Sequence, residues 1–244
     1  MMLALATQAP GEAEVFASLQ GEGPSMGLPV AFVRLSRCNL ACVWCDTAYT
    51  WRWEGDNRPH RDAVAHDRKA NQVMLPPAEV AARIAALGQK RLVITGGEPL
   101  LQAAGLAEML EHLPDMAIEI ETNGTLAPPA RLDVRVDQYN VSPKLAHSGN
   151  PADLALIPER LDAWATDPRA FLKFVIAAPG DVDEVLALRA RYRFPAARVF
   201  LMAEGTDSAT LRARQQWLSA LCLEHGFRLS DRLHIHLYGD TRGT

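Results

Sequence analysis

The stretch VAFVRLSRCNLACVWCDT, residues 30–47, joins a short apolar run to three closely spaced cysteines. Residues 30–36 are predicted to form a β-strand, because the run is rich in β-branched and aromatic side chains. Cys38, Cys42 and Cys45 follow directly and are three of the four cysteines in the 244-residue chain. In a reducing compartment, thiols crowded in this way more often bind metal or take part in chemistry than form disulfides.

Strand-like runs alternate with helical patterns along the rest of the chain. Further predicted strands cover residues 91–95, 117–122, 138–142, 171–178, 198–203 and 232–238. Apolar periodicity predicts helices near residues 76–88, 100–113, 181–192 and 207–225. Several of these strands are almost continuously apolar, as in a parallel sheet that is buried on both faces. The order predicts an α/β fold, either a doubly wound sheet or a full or partial (β/α) barrel, with active groups at the carboxyl ends of the strands.

No internal repeat or linker divides the chain, so we expect a single domain over residues 1–244. The exception to the regular pattern is a polar stretch without periodicity at about 53–72, which predicts a long surface loop.

Composition narrows the class of function. Hydrophobic residues make up 48% and charged residues 22%, as in an ordinary globular protein, and the net charge is −4. That charge, without a block of basic residues, argues against a general nucleic-acid or acidic-membrane partner and favours a small molecule. Residues 1–10 lack a basic leader, and no stretch reaches the roughly 18 apolar residues that span a bilayer. We therefore expect a cytoplasmic protein.

Three interpretations of the cysteine group compete. A structural zinc site would need a fourth ligand from a distant residue such as His60 or His66. Buried thiols that only pack would not explain three cysteines crowded beside polar residues. A [4Fe-4S] cluster held by three thiolates would keep one iron open for a substrate or cofactor. The remaining cysteine, Cys222, lies on the apolar face of a predicted helix and is expected to be a packed core thiol.

The CxxxCxxC spacing after the first long strand resembles the radical S-adenosylmethionine (SAM) superfamily. The resemblance implies a partial or modified (β/α) barrel in which SAM chelates the open iron of a [4Fe-4S] cluster. It also implies that the reduced cluster cleaves SAM to a 5′-deoxyadenosyl radical, which abstracts a hydrogen atom from substrate. A reducing partner, flavodoxin-like or a ferredoxin, is then expected.

The motif ITGGEP, residues 94–99, ends a predicted strand and opens a helix. Two glycines there let the backbone approach a ligand closely. Together with the cysteines it resembles the superfamily motif for the methionine amino group of SAM, which implies SAM contacts from Gly96, Gly97 and Glu98. Ser142, in VSPK after another strand, is a further SAM candidate by the same resemblance.

LQGEGP at residues 19–24, followed by FVRLSRCNLACVWCDT, resembles the 7-carboxy-7-deazaguanine synthase family of queuosine and deazapurine biosynthesis. The resemblance implies a lyase reaction in which 6-carboxy-5,6,7,8-tetrahydropterin is contracted to 7-carboxy-7-deazaguanine with loss of ammonia, while SAM serves as a reusable cofactor. It implies pterin contacts from Gln20, Gly21, Glu22, Arg34, Thr95, Glu121 and His236.

Some of these residues have a chemical reason of their own. Arg34 lies in a mostly apolar strand and needs a partner, and its guanidinium suits a bidentate grip on the substrate carboxylate. His236 shares one face with His234 if residues 232–238 form a strand. The resemblance also implies a Mg²⁺ ion at Thr47, adjacent to Asp46, since hard oxygen ligands suit this ion.

A homodimer is expected from the same resemblance. The nearest alternative is a glycyl-radical enzyme activase, which shares CxxxCxxC and GGEP but has no reason to carry LQGEGP. A non-enzymatic alternative is a zinc-binding interaction module.

Overall fold

The computed structural model describes residues 1–244. Its strands are β1 (Leu3–Ala9), β2 (Glu12–Ala13), β3 (Val15–Leu19), β4 (Pro29–Leu35), β5 (Gln72–Leu75), β6 (Arg91–Gly96), β7 (Ala117–Thr122), β8 (Gln138–Val141), β9 (Ala170–Ile176), β10 (Val199–Ala203) and β11 (Arg228–Ser230). Its helices are α1 (Arg68–Asn71), α2 (Pro77–Ala86), α3 (Ala103–Glu111), α4 (Ala130–Asp133), α5 (Ala152–Ala155), α6 (Pro158–Thr166), α7 (Asp181–Tyr192), α8 (Ser208–His225) and α9 (Leu233–Tyr238).

All strands belong to one sheet, and seven of them run parallel in the order β4, β6, β7, β8, β9, β10, β11. Each crossover therefore steps in the same direction, as in a barrel, whereas a doubly wound sheet reverses its strand order at a switch point. β1 and β3 pair antiparallel with β4, and the sheet does not close. The partial barrel is confirmed, and its one sheet includes strands from Leu3 to Ser230.

Six of the seven predicted strands are present within two residues of their predicted bounds. The seventh prediction was wrong: residues 232–238 form the short helix α9. The edge of the sheet is already occupied by β11, whose Ser230 pairs with Met202, so the chain turns away at this point. The alternating residues also do not share one buried face, as those of a strand would, because Ile235 is buried while Leu237 is exposed.

The predicted helices are confirmed with small differences, since residues 99–102 form a 3₁₀ turn before α3. The predicted loop at 53–72 is largely irregular, but its end forms α1 and the first residue of β5. Cys222 is buried among apolar side chains on α8, as expected of a core thiol.

Alternate residues of the parallel strands face opposite sides of the sheet. In β4, Val33 and Leu35 belong to the large apolar core, whereas Phe32 and Arg34 face a cavity. The same alternation sends polar side chains of the next strands into that cavity, namely Thr95, Glu121, Asn140 and Lys173. A packed apolar layer on one side thus supports a polar concave face on the other. No helix in the chain has the length and apolar character that a membrane crossing requires.

Candidate active site at the carboxyl ends of the strands

The cavity has a volume of about 410 Å³ and lies at the carboxyl ends of the parallel strands. This is the position in which barrel-type α/β proteins place their reactive groups. The predicted site residues that line it are Gln20, Gly21, Glu22, Arg34, Cys38, Cys42, Cys45, Thr47, Thr95, Gly96, Gly97, Glu121 and Ser142. Residues from far apart in the sequence therefore meet in one place.

Two predicted site residues do not line the cavity. Glu98 is fully buried behind it and accepts hydrogen bonds from the Asn123 amide at 2.7 Å and the Leu100 amide at 2.9 Å, so it holds the loop after β6. His236 contacts Ser208 Oγ at 2.8 Å instead, because the segment is helical. His234, on the other side of α9, lines the cavity in its place.

The cluster loop, residues 38–47, carries the three thiols on the cavity wall. Each sulfur has a nitrogen donor nearby: Asn150 Nδ2 lies 3.2 Å from Cys42 Sγ, Trp51 Nε1 lies 3.4 Å from Cys45 Sγ, and Asn123 Nδ2 lies 4.0 Å from Cys38 Sγ. N–H groups aimed at sulfur suit thiolates that ligate iron, because such hydrogen bonds tune the cluster.

Burial raises the pKa of the Cys38 thiol to about 12 and that of Cys45 to about 11, and it also raises the pKa of Cys42. Thiolates at these positions therefore need a cation beside them, which bound iron supplies. No three His, Cys, Asp or Glu side chains are grouped as the ligands of a single metal ion. Cys38, Cys42 and Cys45 would each hold one iron of a [4Fe-4S] cluster and leave the fourth iron open.

The glycine pair after β6 packs directly on the start of the cluster loop. A Cβ atom on Gly97 would lie 2.1 Å from the Arg37 carbonyl oxygen. A Cβ atom on Gly96, whose φ is +140°, would lie 2.1 Å from the Leu35 carbonyl oxygen. Neither position accepts a side chain without moving the backbone. The backbone of the ITGGEP motif is therefore held against the loop that carries Cys38.

Directly before the glycine pair, Thr95 joins Gln20, the buried Glu119 and the half-buried Glu121 in a hydrogen-bonded network. Gln20 Nε2 donates to Glu119 at 2.7 Å and to Glu121 at 3.2 Å, and Thr95 Oγ1 donates to Glu121 at 2.8 Å. Burial raises the pKa of Glu119, which accepts further hydrogen bonds from Ser25 and Asn140. The network fixes the Glu121 carboxylate at the cavity surface.

Arg34 enters the cavity from β4 with its Nε atom on Glu14 Oε1 at 2.7 Å. Glu14 is fully buried and also accepts from Tyr49 OH at 2.9 Å. Burial alone would lower the pKa of Arg34, but the Glu14 carboxylate keeps it above its usual range. Glu14 thereby holds the guanidinium charged and in place, while the two Nη atoms donate to no protein group.

A further ionic cluster lines the cavity, formed by the buried Lys173 and Arg232, the largely buried Glu22 and the more exposed Asp46. Glu22 pairs with Lys173 and with Arg232, whose Nε lies 3.1 Å from Glu22 Oε1, and Arg232 also pairs with Asp46. Burial alone would raise the pKa of Glu22, but Lys173, Arg232 and His234 lower it well below its usual range. Both oxygens of Glu22 are thus engaged within the protein.

One local signal for this cluster was present: Lys173 interrupts an otherwise apolar strand, as Arg34 does in β4. A charged residue on a buried strand needs a partner. Arg232 and Glu14 had no comparable signal, because neither lies inside an otherwise apolar run of the sequence.

Comparison with known proteins agrees with this geometry. The family model of the radical SAM superfamily matches residues 33–144, which include the three cysteines and the ITGGEP motif. The fold and the site thus define a radical SAM enzyme, with a [4Fe-4S] cluster and SAM as its cofactors and a small molecule as its substrate.

The curated relatives narrow the class. A 7-carboxy-7-deazaguanine synthase from Pyrobaculum aerophilum is 37% identical over 94% of this chain and 95% of its own length. The synthase from Halobacterium salinarum is 34% identical over 95% of this chain and 91% of its own. The crystal structure of QueE from Escherichia coli matches with a TM-score of 0.67 and 25% identity over 95% of both chains. The chain belongs to the 7-carboxy-7-deazaguanine synthase family, and neither the activase nor the zinc-module alternative is favoured.

Proposed function

We propose that the cavity converts 6-carboxy-5,6,7,8-tetrahydropterin to 7-carboxy-7-deazaguanine, with loss of ammonia. The observation that carries the proposal is the lining of one cavity at the carboxyl ends of the strands. It contains three thiols, an arginine whose two Nη atoms donate to no protein group, and a carboxylate that is held by hydrogen bonds. When bound, the cluster and SAM supply the radical that starts the reaction. The chain itself binds and orients the substrate and keeps water from the reacting atoms.

SAM is proposed to lie between the cluster loop and the carboxyl ends of β6 and β8. The backbone of Gly96 and Gly97 is exposed to the cavity there, and Ser142 lines the same region. Ser142 Oγ accepts from Lys144 Nζ at 2.8 Å, which leaves its own proton free to donate to a carboxylate. Glu98 acts indirectly in this proposal, since its contacts are all within the protein.

The pterin is proposed to span from Arg34 to Glu121. The two free Nη groups of Arg34 suit the substrate carboxylate, because a guanidinium binds a carboxylate with two parallel hydrogen bonds. Each oxygen of Glu121 accepts one protein hydrogen bond and has a second lone pair for an N–H of the pyrimidine ring. Gln20 and Gly21 would pack along the ring, and Glu22 would act through its ionic cluster rather than by direct contact.

Mg²⁺ is proposed to bind at Thr47. Its hydroxyl faces the cavity and lies 3.6 Å from Cys45 Sγ. The neighbouring Asp46 pairs with Arg232 through Oδ2, and its Oδ1 atom accepts no hydrogen bond within the protein. Such a site would give the ion few protein ligands and leave the others to substrate and water, as Mg²⁺ prefers.

Other parts of the proposal rest on chemistry or on resemblance. Reduction of the cluster requires a one-electron donor, for which a flavodoxin-like protein or a ferredoxin is suitable. Four unpaired thiols support a reducing, cytoplasmic location. A homodimer is supported by the family resemblance alone.

The test is an anaerobic assay of the reconstituted protein with SAM, Mg²⁺, a reductant and the pterin, with products read by mass spectrometry. We expect 7-carboxy-7-deazaguanine without matching consumption of SAM, and slower formation when Mg²⁺ is omitted. Cys42→Ala should abolish the product, whereas Cys222→Ala removes a thiol remote from the cavity and should retain it. Cleavage of SAM with the pterin untouched would refute the substrate assignment.

A further inference from the structure

The covering segment, residues 53–66, is the part of the predicted loop for which the reaction gives no role. It is not a free loop, because its two ends are joined by hydrogen bonds from His66 N to Arg52 O at 3.0 Å and from Glu54 N to His66 O at 3.1 Å. In its middle, Arg61 N donates to Val43 O at 2.8 Å. The covering segment is therefore closed at its base and attached to the backbone of the cluster loop between Cys42 and Cys45.

His60 forms the second attachment. Its side chain is 1% exposed, and its Nε2 atom lies 2.8 Å from the carbonyl oxygen of Cys45. A carbonyl oxygen only accepts, so Nε2 is the donor. On the other side of the ring, Nδ1 lies 2.6 Å from Asp62 Oδ1, which fixes the plane of the imidazole. Asp62 is fixed in turn by the Val64 amide at 2.9 Å.

Trp51 completes the arrangement. Its indole packs edge-on against the His60 imidazole with ring centroids 6.2 Å apart, and its Nε1 donates to Cys45 Sγ at 3.4 Å. Cys45 is thus held at its carbonyl by His60 and at its sulfur by the residue that packs against His60. Because the Cys45 carbonyl belongs to the peptide bond that leads to Asp46, its orientation also sets the path of the chain toward Thr47.

This geometry differs from the fourth-ligand role that the sequence allowed for His60. Both ring nitrogens are already engaged, one with a backbone oxygen and one with a carboxylate. We propose that His60, oriented by Asp62, is a positioning residue that fixes Cys45 for iron binding, and that the covering segment serves as the support of the cluster loop. The inference rests on the assignment of Cys45 as a cluster ligand in the proposed function.

Residues that orient metal ligands from behind commonly change metal affinity by about 10–100-fold when they are replaced. We therefore compare anaerobically reconstituted wild type, His60→Ala, His60→Gln and Asp62→Asn. The readouts are the rate at which a chelator removes iron and the electron paramagnetic resonance spectrum of the reduced cluster. His112→Ala, at the exposed end of α3, is the matched control for loss of a histidine.

In His60→Ala we expect iron release to be faster by about tenfold or more, with an altered spectrum. His60→Gln should retain most of the slow iron release of wild type, because the glutamine amide nitrogen can donate to the same carbonyl oxygen. The Asp62 side chain is half exposed, and an asparagine in its place keeps an acceptor for the Val64 amide. The rate of iron release in Asp62→Asn should therefore lie between the rates in His60→Ala and His60→Gln. His112→Ala should match wild type.

Wild-type iron release in His60→Ala would overturn the proposal. Equal acceleration in His60→Ala and His60→Gln would overturn it too, because the imidazole would then only fill space. Cys45→Ala separates this failure from that of the proposed function, since full iron and an unchanged spectrum in that variant would refute the ligand assignment itself. Thermal unfolding of the apoproteins shows whether each variant folds. If His60→Ala does not fold, Asp62→Asn still tests the proposal, because the Asp62 side chain is half exposed and its replacement disturbs the core less.

Discussion

Replacing Arg34 tests the orientation of the substrate most directly. In the proposed complex its two Nη groups bind the pterin carboxylate, while Nε stays on Glu14 at 2.7 Å. Arg34→Met keeps most of the length of the side chain and removes the charge, but it leaves the buried Glu14 carboxylate with Tyr49 as its remaining donor. The double variant Arg34→Met with Glu14→Gln removes that unpaired charge, so the effect on substrate can be separated from the effect on folding.

The magnitude follows from the two hydrogen bonds that would be lost. A hydrogen bond to a charged group contributes about 1.5–3 kcal/mol, and a bidentate pair with some remaining solvation contributes about 3 kcal/mol. At 1.4 kcal/mol per factor of ten, this weakens pterin binding by about 100-fold. SAM binding should be almost unchanged, because SAM is proposed to contact β6 and β8 instead.

The assay is anaerobic calorimetry with the oxidised cluster, so that no turnover occurs, using SAM, the pterin and a 6-methyl analogue that lacks the carboxylate. Wild type should discriminate strongly between the pterin and the analogue, and both Arg34 variants should bind the two almost equally. Equal losses of SAM and pterin affinity would refute the reasoning. So would a variant that still prefers the carboxylate.

Two further substitutions test the architecture around the site. Gly97→Ala should impair iron incorporation, since the new Cβ would lie 2.1 Å from the Arg37 carbonyl oxygen. The control is Gly180→Ala, because a Cβ atom there would have no neighbouring atom within 4 Å. Equal iron content in the two variants would contradict the packing argument. Glu22→Gln should lower the free energy of unfolding of the apoprotein by about 3 kcal/mol at neutral pH, because it leaves Lys173 and Arg232 short of a buried counter-ion. Since the folded state lowers the pKa of Glu22, its contribution is present above the unfolded pKa and is lost as the pH falls. Denaturation of wild type and variant should therefore differ less in acid, and a constant difference would contradict this origin.

The parallel strands β4 and β6 to β10 were predictable because each is largely buried and carries apolar side chains toward the core, whereas the parallel strand β11 is short, mostly exposed and was missed. β1 and β3 were missed: their signal is weaker, and they join the sheet by antiparallel pairing with β4. The error at residues 232–238 has another cause. Alternating His, Ile and Leu satisfied a strand pattern locally, but β11 already occupied the edge of the sheet, and tertiary context decided the structure.

The site was predictable where a residue is tied to a motif or interrupts an apolar strand. Arg34 and the cysteines met those conditions. Glu14 and Arg232 did not, since what makes them important is a partner about 20 or more residues away. His60 was noticed only as a possible ligand, because its contact is with the backbone of Cys45, which no sequence pattern records.

The proposed substrate contacts share one physical advantage, which is that they lie on adjacent strands rather than on loops. Arg34 on β4 is in register with Thr95 on β6, and Thr95 donates to Glu121 on the next strand, β7. Two strand spacings of about 4.8 Å each place the arginine and the glutamate backbones about 10 Å apart, comparable to the long dimension of a bicyclic pterin. Since Glu14 fixes one end and Gln20 with Thr95 the other, both charges are oriented before substrate arrives. A site built on rigid strands in this way loses little entropy on binding and holds the ring still while a reactive radical forms beside it.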